Sequence, residues 1–314
     1  MTGLPGRVFG TIPDFEDHLI AELEASGSSR SELKTWGSLV YAPSAAASSS
    51  ILPAPVFWQQ NTWLNPVRIE FGSINEAALA LRKMGRNWAP CFFTQFRRGA
   101  LIVSALPPLP AKLRSFPWLL PDTPMGAFTL LDEHTLVAGP DCSSPFPGGI
   151  IEFCEDREGP PSRAYLKLWE ALTLCRKWPQ QGQRCLDAGA SPGGWTWALC
   201  GLGANVLAVD RSSLDVKISG LANVEYLKHD AFTLEPEDIG RLDWLFCDVV
   251  CYPPRLYEWI TKWLESGLCG NFVCTIKMQG APDFETTARF AKIPGSKIIH
   301  LWHNKHELTW IKLS

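Results

Sequence analysis

The chain has 314 residues, 46% of them hydrophobic and 19% charged, with 29 lysines and arginines against 32 aspartates and glutamates for a formal net charge of −3. That much apolar side chain excludes wholesale disorder and suffices for two cores, and no uninterrupted apolar run approaches about 18 residues, the length a spanning helix needs. The slight negative charge excludes a uniformly basic surface, so a polyanionic partner must be held locally.

The start, Met1-Thr-Gly-Leu-Pro-Gly-Arg7, has no apolar signal core, and a cytoplasmic location is expected. Arg7-Val-Phe-Gly-Thr-Ile12 reads as a strand, Asp14 as the cap of a helix with Phe15, Leu19, Ile20 and Leu23 on one face, and 36–41 as a second strand. An Ala/Ser-rich loop covers 43–50. Val67-Arg-Ile-Glu-Phe71 reads as a strand, Ser73 with Glu76 as a capping box opening a helix, and 91–103 as further strand. The sum is close to β-α-β-β-α-β, an α+β ferredoxin-like domain over residues 1–125. It carries two candidate nucleic-acid patches: Arg82, Lys83 and Arg86 near Trp88, and Arg97 and Arg98 beside Phe92, Phe93 and Phe96. A packed core with solvated arginines explains the same residues equally well. After a proline-rich stretch, 126–160 reads as connecting strands.

From 161 the pattern changes to alternating strands and helices, with strands centred near 184, 205, 225, 243, 272, 297 and 308. Only a short turn separates the last two, which predicts an antiparallel hairpin at the edge of a mostly parallel, Rossmann-like sheet. The first strand runs into Asp187-Ala-Gly-Ala-Ser-Pro-Gly-Gly-Trp195. Glycines at 189, 193 and 194 with Pro192 between them do not fit the G-x-G-x-x-G spacing that cradles a pyrophosphate, which argues against NAD. A tight loop preceded by an acid suits a ligand with a positive centre and an amino-acid tail, as in S-adenosylmethionine. Asp210 ends the next strand, where an acid accepts ribose hydroxyls, and Asp230 ends the third, suitable for an adenine amino group. Asp248 and Lys277 follow the apolar runs 242–246 and 272–276, at the end where open parallel sheets bind ligands. Cys185, Cys247 and Cys274 lie inside strand runs, no C-x-x-C occurs, and the cysteines read as reduced core residues. His300, His303 and His306 recur every third residue across a turn, a spacing that fits no metal site, and no metal is expected. In Cys251-Tyr-Pro-Pro254, Tyr252 or Pro253 is placed to line a substrate entrance.

The motif around Asp187, Gly189, Ser191, Pro192, Gly193, Gly194 and Trp195 resembles the cofactor loop of the FtsJ-like ribose 2′-O-methyltransferases, D-x-G-x-x-P-G-G-[WF]. The resemblance extends over about 150–314 and includes Lys167, Asp248, Lys277 and Glu307, in the order of that family's Lys-Asp-Lys-Glu catalytic tetrad. It implies S-adenosylmethionine as cofactor and methylation of a ribose 2′-hydroxyl. The segment 161–171 and the long N-terminal region are most similar to the members acting on a cytidine of large-subunit ribosomal RNA, which implies that RNA or its precursor as partner. Methyl transfer from a sulfonium is an in-line displacement, so the acceptor oxygen must be held and its proton removed. A free lysine titrates near about 10.4 and needs help to act as a base at neutral pH. Lys277 as that base, and Lys277 as a charged group stabilising the developing alkoxide, remain two readings of one geometry.

Overall fold

The computed structural model describes residues 1–43, 56–109, 113–120, 122–123 and 125–314; all but the first residue of the 43–50 loop falls outside them. The chain divides into two compact units, one of residues 1–113 and 120–152, the other of 114–119 and 153–314. Among the described residues no helix is long and apolar enough to cross a membrane.

The first unit contains β1 (Thr2–Gly3), β2 (Arg7–Gly10), α1 (Glu16–Ala25), β3 (Lys34–Trp36), β4 (Leu39–Ala42) and β5 (Asn61–Trp63). The expected single strand at 36–41 is two strands, because Gly37 at φ 61° turns the chain into a tight hairpin. That reversal returns β4 antiparallel to β2, so no βαβ unit forms and the sheet runs β3-β4-β2-β5. Helix α1 buries Leu19, Ile20 and Leu23 as its periodicity requires, but Asp14, at φ 73°, makes no cap.

The same unit continues with β6 (Val67–Glu70), α2 (Ile74–Met84), β7 (Trp88–Pro90), α3 (Phe96–Ser104), β8 (Gly126–Leu130) and β9 (Thr135–Gly139), giving a second sheet ordered β1-β6-β9-β8-β7. The box at α2 forms with a shift: Ser73 Oγ accepts from Glu76 N at 3.2 Å, while the Glu76 carboxylate accepts from Gly72 N at 2.8 Å. The segment read as strand at 91–103 is largely α3. Gly99 and Ile102 are its buried face, three residues apart, and a Cβ at 99 would come within 2.4 Å of the Phe92 ring. Two sheets thus replace the single ferredoxin-like module. The segment assigned to connecting strands supplies β8 and β9, an antiparallel pair inside the second sheet. One face of that sheet packs Phe128, Leu130 and Leu136 against Leu81 and Ile102 of the helices. On the other, Val137 and Ala127 meet Val8, Leu39 and Trp63.

The second unit comprises α4 (Tyr165–Cys175), β10 (Arg184–Ala188), α5 (Gly194–Gly201), β11 (Asn205–Asp210), α6 (Val216–Ser219), β12 (Val224–Lys228), α7 (Pro236–Ile239), β13 (Leu242–Cys247), α8 (Pro253–Ser266), β14 (Cys269–Lys277), α9 (Phe284–Ala291), β15 (Ser296–Ile299) and β16 (Glu307–Lys312). Its seven-stranded sheet is ordered β12-β11-β10-β13-β14-β16-β15. Strands β10 to β14 are parallel, and β16 runs antiparallel to both β14 and β15. Strand order reverses between β10 and β13, and the crevice at that switch point is where an open sheet receives a ligand. The short segment 114–119 belongs here: Phe116 stacks on Trp169 with ring centroids 5.2 Å apart, and Cys154 N donates to Arg114 O at 2.8 Å.

Candidate active site

Four charged side chains converge at one rim of this sheet. Lys167 is on the first turn of α4, Asp248 directly follows β13, Lys277 ends β14, and Glu307 opens β16. Antiparallel pairing places Glu307 opposite Lys277 in register. Lys167 Nζ donates to Asp248 Oδ1 and Oδ2 at 3.1 and 3.0 Å and to Glu307 Oε1 at 3.1 Å. Lys277 Nζ lies 2.9 Å from Asp248 Oδ1. No periodicity marks Lys167 as buried, because α4 buries polar and apolar side chains alike over its first nine residues. Thr275, two residues before Lys277 and so on the same face of β14, donates to Asp248 Oδ1 at 2.7 Å. That residue was missed, although its i, i+2 relation to Lys277 was visible.

Burial and pairing oppose each other here. Desolvation lowers the affinity of Lys167 for its proton, but the Asp248 and Glu307 carboxylates more than offset it, and its pKa ends above the usual lysine value. Asp248 is pushed up by burial and pulled down further by Lys167 and Lys277, ending below the ordinary carboxylate range. With all four members ionised the cluster is neutral, which lets charge persist in a largely dry site.

The glycine loop lies at the neighbouring strand ends. Gly189 takes φ 80°, and a Cβ there would come within 2.6 Å of Val249, the residue after Asp248. A side chain is excluded just where the two halves of the sheet meet. Gly193 takes φ 119° against Ile218, and Gly194 starts α5 so close to Ser162 that a Cβ would sit 2.4 Å from its Oγ. Ser191 N donates to Asp210 Oδ2 at 3.1 Å and Ser212 N to Asp210 Oδ1 at 2.7 Å, fixing a partly exposed carboxylate beside the exposed Pro192. Asp230 accepts from Phe232 N at 3.0 Å and pairs with Arg255 at 3.2 Å.

Two residues expected to touch a cofactor do something else. Trp195 is buried and its Nε1 donates to Ala164 O at 2.8 Å, tying the loop to the start of α4. Asp187 is wholly buried and accepts from Thr196 Oγ1 at 2.6 Å, so it braces α5 against β10 and presents no surface to a ligand. Of the histidines, His300 Nε2 faces Lys305 O at 3.3 Å and His303 Nδ1 lies 2.6 Å from Glu170. Among the described residues no group of three His, Cys, Asp or Glu is arranged to hold a metal ion.

The donor set nevertheless fits an adenosine with a cationic tail. Partly exposed carboxylates stand at the end of β11, Asp210, and two residues past β12, Asp230, and the glycine loop passes at Gly189 against Val249, the residue after Asp248.

A mostly parallel sheet with a glycine turn and acids along one rim is a Rossmann-like nucleotide-binding architecture. Residues 160–282 match the model of the FtsJ-like methyltransferase family. The chain is similar to "Ribosomal RNA large subunit methyltransferase M" of Aggregatibacter aphrophilus, 30% identical over 48% of this chain and 46% of the relative. Against the protein of the same name from Xanthomonas oryzae pv. oryzae the identity is 35%, over 56% of this chain and 55% of the relative. The chain therefore spans about half the length of the curated relatives it matches. Among solved structures, TrmN from Thermus thermophilus aligns loosely over 98% of this chain and 99% of its own, at 16% identity and a TM-score of 0.34.

Proposed function

We propose that this chain transfers the methyl group of S-adenosylmethionine to the 2′-hydroxyl of a ribose in RNA, with a cytidine of large-subunit ribosomal RNA as the substrate its similarity favours. The observation that carries the reading is the convergence of Lys167, Asp248, Lys277 and Glu307 at the switch-point rim, beside the loop that fits the cofactor.

Bound at that loop, S-adenosylmethionine supplies an activated methyl on sulfur. Gly189, Ser191, Pro192, Gly193 and Gly194 shape the backbone that receives it, Asp210 takes the ribose hydroxyls, and Asp230 takes the adenine amino group. Asp248 is the hub: it accepts from Lys167, Lys277 and Thr275, so the two ammonium groups are held on a shared, immobile carboxylate. Lys277, with one ion-pair contact to Asp248, keeps donor positions for the sugar oxygen. Glu307 and Lys167 close the network behind it. Val250 and Tyr252, 70% and 65% exposed on the loop after Asp248, offer apolar surface for the attached base.

The test is Lys277→Ala, assayed by ribose-methylation mapping of ribosomal RNA and by calorimetry with S-adenosylmethionine. Methyl transfer should fall at least about a hundredfold with cofactor affinity nearly unchanged. Near-normal turnover would remove the lysine from the centre, and a methyl group found on the base would replace the ribose reading. The pH dependence of the wild-type rate separates the two roles: a base requires a rise with pH up to the lysine's own titration, whereas a charged stabiliser does not.

A further inference from the structure

Helix α4 presents a second buried charge that the tetrad does not use. Glu170, 2% exposed, lies three residues beyond Lys167, about one turn along the helix on the same side. Its carboxylate accepts from Trp302 N at 2.8 Å and from His303 N at 3.0 Å, and His303 Nδ1 lies 2.6 Å away. Trp302 and His303 belong to the turn between β15 and β16, which ends at Glu307. Successive turns of one helix therefore grip one loop at two points: Glu170 holds its middle, and Lys167 holds the carboxylate at its end.

We infer that Glu170 is a positioning residue for methyl transfer, a latch that fixes the 300–306 turn so that Glu307 stays on Lys167. The inference rests on the proposed methyltransferase reading for its kinetic consequence, but the latch itself is a matter of geometry. A buried carboxylate that accepts three donors is costly to replace, and none of those donors belongs to the tetrad itself. The strand pairing of β16 with β14 spans residues 307–312 and is independent of Glu170, so the sheet keeps its register when the latch is removed. What is lost is the fixed approach of the turn. A displacement on the order of 1 Å in a group that orients the acceptor costs about a hundredfold in rate.

The experiment uses the full chain carrying Glu170→Gln, Glu170→Ala, His303→Ala and the Glu170→Ala/His303→Ala pair. Hydrogen exchange followed by mass spectrometry reads the turn without reference to activity. In Glu170→Ala the 300–306 peptide should exchange about tenfold faster, with β14 unchanged. Turnover should fall about a hundredfold in Glu170→Ala and less in the isosteric Glu170→Gln, with affinity for S-adenosylmethionine unchanged. The double variant should be no worse than Glu170→Ala, since both changes open one latch, whereas general destabilisation would add. Unchanged exchange in the turn overturns the latch, and faster exchange with unaltered turnover overturns its role in positioning. A wild-type chain that binds cofactor yet methylates no RNA sinks the proposed function, while the exchange result still decides the latch.

Discussion

Asp187 carries a penalty that its place in the loop motif conceals. Complete burial is the main cause that pushes its carboxyl up to about 7; the bond from Thr196 works against the rise, and Oδ1 has no hydrogen-bond partner. An unfolded aspartate titrates near about 3.9, so the folded state binds this proton more tightly. Its contribution to stability is fully present below about pH 4 and is lost as pH rises through about 7. Asp248, held low, behaves in the opposite sense and loses its contribution only as pH falls below the ordinary carboxylate range. Lys167, held high, contributes until pH passes the ordinary lysine value. Between pH 5 and 8 these two are therefore silent, whereas Asp187 contributes to the slope in its unit. Glu22 in α1, pushed to about 7 by burial despite bonds from Phe57 N and Trp58 N, acts with the same sign in the other. Asp187→Asn should flatten the fall in unfolding free energy from pH 5 to 8 by up to about 3 kcal/mol, and Glu22→Gln should remove a separate share. Urea titrations at several pH values measure it; a variant that keeps the wild-type slope contradicts the assignment. Lys167 and Glu307 entered through the resemblance to a family motif, whereas Asp248 and Lys277 were legible because charges that close apolar strands stand out. The inward role of Asp187 and Trp195 was not, since a motif records which residues surround a ligand and not which of them support it from beneath.

At the level of elements, legibility followed the buried sheet. The central strands in the second unit are apolar runs covered on both sides, such as 244–247 and 272–276, and all seven stand where the sequence placed them. In the first unit the elements are short and one glycine decides direction, as Gly37 does between β3 and β4. Helix α3 was hidden because its aromatic and β-branched residues favour strand, and only the contact of Gly99 with Phe92 reveals why a helix fits. The same kind of close approach gives the glycine loop its strictest position. A methyl at 189 meets Val249 Cγ2 at 2.6 Å and Val249 N at 3.0 Å, on a backbone at φ 80° that alanine resists. Gly189→Ala should weaken S-adenosylmethionine binding by more than about tenfold and lower the melting temperature by several degrees. Gly201→Ala, at the end of α5 with open space around it, is the control and should do neither. Equal cofactor affinity in the two variants, by calorimetry, would separate the loop from the cofactor.

For the whole molecule the question is how a chain of net charge −3 would hold the RNA proposed as its substrate. The charges are unevenly spread: between Glu76 and Asp122 there is no acidic residue, and there are seven lysines and arginines. Part of the set is engaged in the fold. Arg82 donates to Ala105 O at the end of α3, the Arg98 guanidinium lies 5.5 Å over the Phe71 ring, and Trp88 and Phe92 pack in the core rather than against solvent. Lys83, Arg86 and Arg97 are what remains on the described surface of helices α2 and α3 and the turn after α2, with Phe96 63% exposed beside Arg97. If RNA follows this face, neutralising three phosphates contributes about two to the salt slope, at roughly 0.7 per phosphate for a single strand. Lys83→Ala/Arg86→Ala/Arg97→Ala should then weaken RNA binding most at low salt and reduce the slope of log affinity against log salt by about two. Turnover at saturating RNA should be unchanged, because none of these residues belongs to the unit that carries the tetrad. Fluorescence anisotropy across a salt series measures the slope, and an unaltered slope would mean that the RNA takes another path.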